Sequence, residues 1–200
     1  MAGWIKICGM TTPAAVAAAV AAGVDAIGFV FAPSVRALSP ERASELAAPA
    51  RGRVNCVAVT LHPSQAEVNR ILEVFRPDIL QSDAQDLLLL ALPKTLALLP
   101  VWRPDVRLRG GLPTQLLYEG AQSGTGTLSN WQEAHELARK TRVVLAGGLT
   151  AGNVSTAIRA VQPFGVDTSS GVEHSPGLKD PAKIREFVDA ARAAFDRKVA

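Results

Sequence analysis

The sequence predicts an α/β chain wound as a (β/α)8 barrel, a TIM barrel in one compact domain over residues 1–200, with room for only a reduced fifth helix. Three observations predict it. Strand-length apolar runs alternate with helix-length segments along the chain, which implies parallel strands joined by right-handed crossovers. Runs such as Val143-Val144-Leu145 are apolar on both faces, as strands buried on both sides must be. The last two strand-to-helix turns, Ala146-Gly147-Gly148-Leu149-Thr150 and Asp167-Thr168-Ser169-Ser170-Gly171, consist of small residues where such barrels hold phosphate. The 200 residues allow eight units of about 25 each, the lower limit for this architecture, so loops must be short. A doubly wound open sheet is the alternative. It lacks the Gly-x-Gly-x-x-Gly turn after the first strand.

The elements follow in order. Trp4-Ile5-Lys6-Ile7-Cys8 reads as strand one, stopped by Gly9. Thr12-Pro13 is an N-cap with proline in the first helical turn, and Gly23 closes that helix. Asp25 to Phe31 is strand two; a loop carrying Arg36 leads to Ser39-Pro40-Glu41, the same cap-and-proline device. Arg53 to Leu61 is strand three. Ser64 caps a helix with Val68, Ile71, Leu72 and Phe75 on one face. Asp78 to Gln81 is strand four. Leu87 to Leu92 is too continuous to classify by period, and Thr95 to Trp102 holds strand five. Pro100, Pro104 and Pro113 leave little space for a fifth helix. Gln115 to Glu119 is strand six, followed by a glycine-rich loop, Gly120 to Gly126, and a helix over Asn130 to Lys140. Val143 to Ala146 and Phe164 to Asp167 are strands seven and eight, with a helix-sized segment, Ala151 to Gln162, between them. Asp180 to Phe195 is the last helix.

Composition narrows the function. The net charge is +3 with no basic run, and aromatics make up 5%, so neither a nucleic-acid face nor a base-stacking platform is expected. A small anionic substrate fits better. Ala14 to Ala22 is apolar but too short to span a bilayer, so no membrane partner is expected. The two cysteines form no paired pattern, which suits a reduced, cytoplasmic setting. His62, His135 and His174 share no ligand spacing, so no metal is expected.

Working residues in such a barrel stand at the C-terminal ends of strands. That rule selects Cys8, Arg36, Gln81, Asp83, Arg103, Glu119 and Asp167. Cys56, mid-strand, reads as core. Cys8 is either a small buried hydrophobe or a reagent; Glu119, an acid closing an apolar strand, is either a paired rim residue or functional. Glycine lets a backbone N–H approach an anion, and serine adds a hydroxyl donor. Gly147, Gly148, Ser169, Ser170 and Gly171 therefore read as a phosphate cup, with two ordinary turns as the other reading.

At these residues the chain resembles the phosphoribosylanthranilate isomerases of tryptophan biosynthesis. Lys6-Ile7-Cys8-Gly9-Met10-Thr11 is similar to that family's opening motif, and Gly28-Phe29-Val30-Phe31 with Ser34-Val35-Arg36 to its second. Ser123-Gly124-Thr125-Gly126 with Trp131 resembles the loop after strand six. Ala146-Gly147-Gly148-Leu149 with Asn153, then Val166 through Glu173, Pro176-Gly177 and Lys179-Asp180 resemble the closing motifs. The resemblance implies an Amadori rearrangement of an aminoaldose phosphate, with Cys8 as general base and Glu119 as general acid. It implies that Arg36 contacts the anthranilate carboxylate, that the cup holds the phosphate, and that Asp167 sits near the sugar or the bridging amine. No cofactor is implied, because the ring-opened iminium is itself the electron sink. A thiolate base needs a lowered pKa, and the acid must stay partly protonated.

Two departures from the family pattern stand out. Glu119 replaces a common aspartate, and Gln81-Ser82-Asp83-Ala84 replaces Gln-Leu-His-Gly, which makes Asp83 a rival acid. The rival functions are an epimerase, which would bring metal and histidine ligands, and an indole-glycerol-phosphate synthase, whose strand-end lysine would have to be Lys6. A phosphate-binding barrel without catalysis is a third. The expected partners are a phosphorylated small molecule and, if any protein, a second copy of the chain as a homodimer.

Overall fold

In the computed structural model of the protein, residues 3–103, 111–120 and 130–197 are described. Local signals place most of the elements. Thr12, Ser39 and Ser64 each accept a hydrogen bond from a backbone N–H three residues on, opening α1 (Pro13–Ala21), α2 (Pro40–Ala47) and α3 (Gln65–Val74). At α3 the device is a full capping box, with Glu67 reaching back to Ser64. Asn130 caps α5 (Trp131–Ala138), and Asp180 accepts from the first turn of α7 (Pro181–Arg197). Gly23, at φ 74°, ends α1 in the left-handed conformation that only glycine adopts without strain.

Between the helices run β1 (Trp4–Cys8), β2 (Ala26–Val30), β3 (Asn55–Val59), β4 (Ile79–Asp83), β5 (Ala97–Trp102), β6 (Gln115–Tyr118), β7 (Arg142–Leu145) and β8 (Gly165–Thr168). Each pairs in parallel with the next, and β1 closes the ring against β8 with Lys6 opposite Asp167. The expected barrel is the observed one. Alternation along the strands sorts side chains into two cores. Ile5, Ile7, Ile27, Phe29 and their like face out to the helices. Leu99, Val101, Leu117, Val144 and Ala146 fill the barrel interior, with Trp4, Ile79 and Phe164 packed against them. The interior is therefore a packed apolar floor, and polar strand ends stand above it. Cys56 is fully buried in the outer core, as expected.

The leucine run that period left unclassified splits. Its first part lies in α4 (Ala84–Leu89), and Leu90 is already extended. Among the described residues no helix separates β5 from β6; residues 104–110, where most of a fifth helix would fall, lie outside them. The Gly120 to Gly126 loop, with the Ser123-Gly124-Thr125-Gly126 motif, also lies outside them beyond Gly120. Between β7 and β8, α6 spans Val154–Val161, a turn shorter at its start than expected. One unforeseen element follows β8: a hairpin of β9 (Glu173–Ser175) and β10 (Leu178–Lys179). No described helix is long and apolar enough to cross a membrane.

Candidate active site

The polar strand ends surround one cavity of about 260 Å³ at the C-terminal mouth of the barrel. Every residue singled out from sequence as catalytic or substrate-binding lines it, except Gly171. Cys8 comes from the end of β1 and Glu119 from just past β6, so sulfur and carboxyl open onto the same space.

Two glycines make room on the cysteine side. A Cβ on Gly28 would lie 2.9 Å from Cys8 Sγ and 3.2 Å from Lys6 Cε. A Cβ on Gly9, already at φ 81°, would lie 2.5 Å from Arg36 Cδ. These positions let β2 and the turn after β1 pass close to the reactive side chains.

A buried ion network supports that wall. Lys6 Nζ lies 2.9 Å from Asp167 Oδ1, with both side chains buried. The contact is an ion pair out of line for a geometric hydrogen bond, and neither atom has another aligned partner among the described residues. Glu173, on the unforeseen hairpin, holds two cations. Arg36 donates to it through Nε at 2.6 Å and Nη2 at 2.8 Å, and Lys179 Nζ lies 2.7 Å away. Lys179 also donates to the Ser169 carbonyl and hydroxyl, and Ser169 Oγ donates to the Cys8 carbonyl. Burial would raise the Glu173 carboxyl, but Arg36 and Lys179 outweigh it and bring its pKa down to about 2.

Cys8 departs from expectation. Burial pushes its thiol above the usual range, and Lys6 and Lys179 pull the other way without prevailing. The lowered pKa expected of a thiolate base is thus not what these surroundings give. Burial would lower the Lys6 ammonium, yet Asp167 and Cys8 beside it hold its pKa above the ordinary amine value. Lys6 is also no strand-end nucleophile: it is fully buried and does not line the cavity.

On the opposite wall the charged contacts among the described residues are longer. Arg103, just past β5, donates to Asp83 Oδ1 at 3.1 Å and lies 3.7 Å from Glu119 Oε2. One guanidinium thus faces both candidate acids. On β4, Gln81 is buried and its Oε1 has no hydrogen-bond partner among the described residues.

The two small-residue turns close the cavity. Gly147 and Gly148 have φ of 91° and 63°, conformations that favour glycine. Asn153 does not cap its helix. Its side chain instead accepts from Thr150 N and donates to the Gly148 carbonyl, which stitches the turn shut. Two cup residues are placed differently from the others. Gly171 does not line the cavity; it packs so tightly that a Cβ would sit 1.9 Å from the Leu149 carbonyl oxygen. Ser169 lines the cavity, but its hydroxyl is spent on the Cys8 carbonyl. Ser170 lines the cavity at the start of a single 3-10 turn.

His62, Asp83 and Asp86 bring ligand atoms within 4.8 Å of one another, a grouping that spacing did not suggest. His62 already pairs with Asp86, and Asp83 with Arg103, so these groups are satisfied without an ion. The residues that sequence reasoning missed are Glu173 and Lys179. Both lay within a quoted motif, but nothing local announces that a carboxylate will meet an arginine 137 positions away.

A family model described as N-(5'phosphoribosyl)anthranilate (PRA) isomerase matches residues 5–190. An N-(5'-phosphoribosyl)anthranilate isomerase of Pseudomonas paraeruginosa is 40% identical, over 94% of this chain and 95% of its own. Among solved structures, TrpF from Jonesia denitrificans superposes with a TM-score of 0.81 at 38% identity, over 96% of this chain and 98% of its own. A phosphoribosyl anthranilate isomerase in complex with reduced 1-(o-carboxyphenylamino)-1-deoxyribulose 5-phosphate superposes at 0.77 and 25% identity, over 96% and 99%.

Proposed function

The chain belongs to the N-(5'-phosphoribosyl)anthranilate isomerase family, and from that premise we propose how its own residues divide the work. The reaction is the isomerisation of the aminoaldose N-(5'-phosphoribosyl)anthranilate to the aminoketose 1-(2-carboxyphenylamino)-1-deoxyribulose 5-phosphate, in tryptophan biosynthesis. The setting we propose is cytoplasmic.

The substrate phosphate sits against the turn at Gly147 and Gly148 and the Ser170 hydroxyl, with backbone N–H groups of the two turns as further donors. Arg36, gripped by Glu173 through two nitrogens, keeps its remaining nitrogen for the aryl carboxylate. Gln81 Oε1 and Asp167 accept from the sugar hydroxyls or the bridging amine. Glu119 protonates the ring oxygen, and the furanose opens to an iminium. Cys8 then takes the proton from C2. The C2–H electron pair moves into the iminium to give an enolamine, which tautomerises to the ketone. Each proton-transfer group contributes roughly 10²–10⁴ in rate.

One observation carries this reading: a sulfur on β1 and a carboxyl past β6 face one cavity that the glycine turn at Gly147 and Gly148 also lines. The test is a turnover assay by loss of substrate fluorescence, without added metal. The wild type should turn over, and Cys8→Ser should lose at least a hundredfold in kcat with KM little changed. Near-normal turnover by Cys8→Ser would remove the base assignment.

A further inference from the structure

We propose that Lys6 is the positioning residue of the base: its buried ammonium, braced by Asp167, stabilises the thiolate form of Cys8, whose proton leaves to solvent, and holds that thiolate in place. The inference rests on the reading of Cys8 as base. Lys6 and Cys8 are two apart on β1 and so face the same way. The missing Cβ of Gly28 leaves a gap lined by Cys8 Sγ on one side and Lys6 Cε on the other, so the lysine stem runs beside the sulfur. Lys6 is fully buried, where an ammonium needs acceptors for its three N–H groups. Asp167 supplies the countercharge at 2.9 Å and can engage only part of the three donors of Nζ, so others remain. A thiolate at Cys8, whose charge acts on the Lys6 ammonium, is the candidate acceptor.

The charges around the sulfur point the same way. Lys6 faces it from β1, Asp167 from β8, Lys179 from β10 and Arg36 from the loop after β2; Glu173 pairs with the last two. Among these described groups the cations exceed the carboxylates by one, and a thiolate makes the cluster neutral. Burial alone would keep the thiol protonated, and Lys6 is the largest opposing charge. In the step itself the thiolate takes the C2 proton and becomes a thiol, while Lys6 remains an ammonium throughout.

The test reads the thiol directly. Alkylation of the whole protein by iodoacetamide is followed against pH, with Cys8→Ser as the blank for Cys56. Lys6→Met should raise the apparent thiol pKa by at least one unit, slowing alkylation at neutral pH about tenfold, and should move the acidic limb of kcat/KM up by the same amount. Asp167→Asn should shift the thiol the other way, because it removes an anion and leaves the ammonium. The paired Lys6→Met/Asp167→Asn variant, which buries no lone charge, should have a higher thiol pKa than Asp167→Asn alone, and that comparison serves if Lys6→Met fails to fold. An unmoved thiol in Lys6→Met, no rise from Asp167→Asn to the paired variant, or shifts of the same sign in Lys6→Met and Asp167→Asn, would overturn the proposal. If the thiol shifts as expected while Cys8→Ser keeps its turnover, the coupling stands and the base assignment is what fails.

Discussion

The two walls of the cavity are built differently. The wall of β1, β8 and the β9–β10 hairpin is a closed set of short contacts: Arg36 and Lys179 lie 2.6 and 2.7 Å from Glu173, and Lys6 lies 2.9 Å from Asp167. Glycines at 9 and 28 clear space for it. On the wall of β4, β5 and β6, among the described residues, Arg103 lies 3.1 Å from Asp83 and 3.7 Å from Glu119, with these side chains partly exposed. The contrast fits the two halves of the reaction. A base that removes a carbon-bound proton needs fixed distance and direction, so its wall is rigid and buried. An acid that protonates a ring oxygen and then releases an opened chain works on a moving target, and a looser wall can follow it. Rigidity on the base side also protects the charge balance around Cys8, which solvent would otherwise screen.

The largest effect that would break this contrast falls on the loose wall. Glu119→Gln cannot deliver a proton, so kcat should fall roughly 10²–10⁴-fold with KM close to unchanged. Asp83→Asn should cost less, on the order of tenfold in kcat, because the amide still fills the pocket and only the grip of Asp83 on Arg103 is lost. Steady-state kinetics of the pair decide the matter. If Asp83→Asn is the deeper loss, the acid stands on β4 and the extra methylene of Glu119 has removed it from catalysis.

The next effect sharpens the rigid wall. Glu173→Gln keeps one oxygen for hydrogen bonding but strips the countercharge from Arg36 and Lys179. Breaking a buried pair this way costs about 3–5 kcal/mol, less what the amide recovers. The pH dependence has a definite sign. The folded pKa of Glu173 lies near 2, below its ordinary 4.5. Its contribution is therefore complete above pH 4.5 and is lost as pH falls toward 2. Thermal unfolding from pH 7 to pH 3 should show the widest gap between wild type and variant at neutral pH, narrowing below 4.5. A gap that widens on acidification would mean that Glu173 is not held ionised by its two cations.

How much of this was legible follows the same division between local and distant causes. Thr12, Ser39 and Ser64 act on backbone atoms three residues away, so the helix starts could be read directly. The strand-end rule put Cys8, Glu119 and the glycine turns at one mouth because the barrel fixes where strands end. The β9–β10 hairpin escaped because strands of three and two residues carry no period to detect. The Arg36 partner of Glu173 escaped because ion pairing across 137 positions leaves no local trace. The proton state of Cys8 escaped for a related reason. A strand end says where a thiol lies, whereas its pKa depends on Lys6, Asp167 and Lys179 acting together through a buried medium. Gly171 was assigned to the cup because glycine suits both close approach to an anion and close packing against backbone, and only the 1.9 Å to the Leu149 carbonyl separates the two.

The smallest effect is expected at the cup, where the two walls meet. The Ser170 hydroxyl is one donor among several that a phosphate would find there, the rest being backbone N–H groups that no side-chain change removes. The Ser169 hydroxyl is committed to Cys8, so Ser170 has no side-chain substitute beside it. Losing one hydrogen bond to a charged group costs about 1.5 kcal/mol, or roughly tenfold in KM. The phosphate is bound alike in substrate and transition state, so kcat should hold. Ser170→Ala should therefore raise KM about tenfold at constant kcat. A fall in kcat instead would mean that the turn after β8 tunes the Cys8 wall beside it rather than anchoring the substrate tail, and would move the rigid half of the site one residue further along the chain.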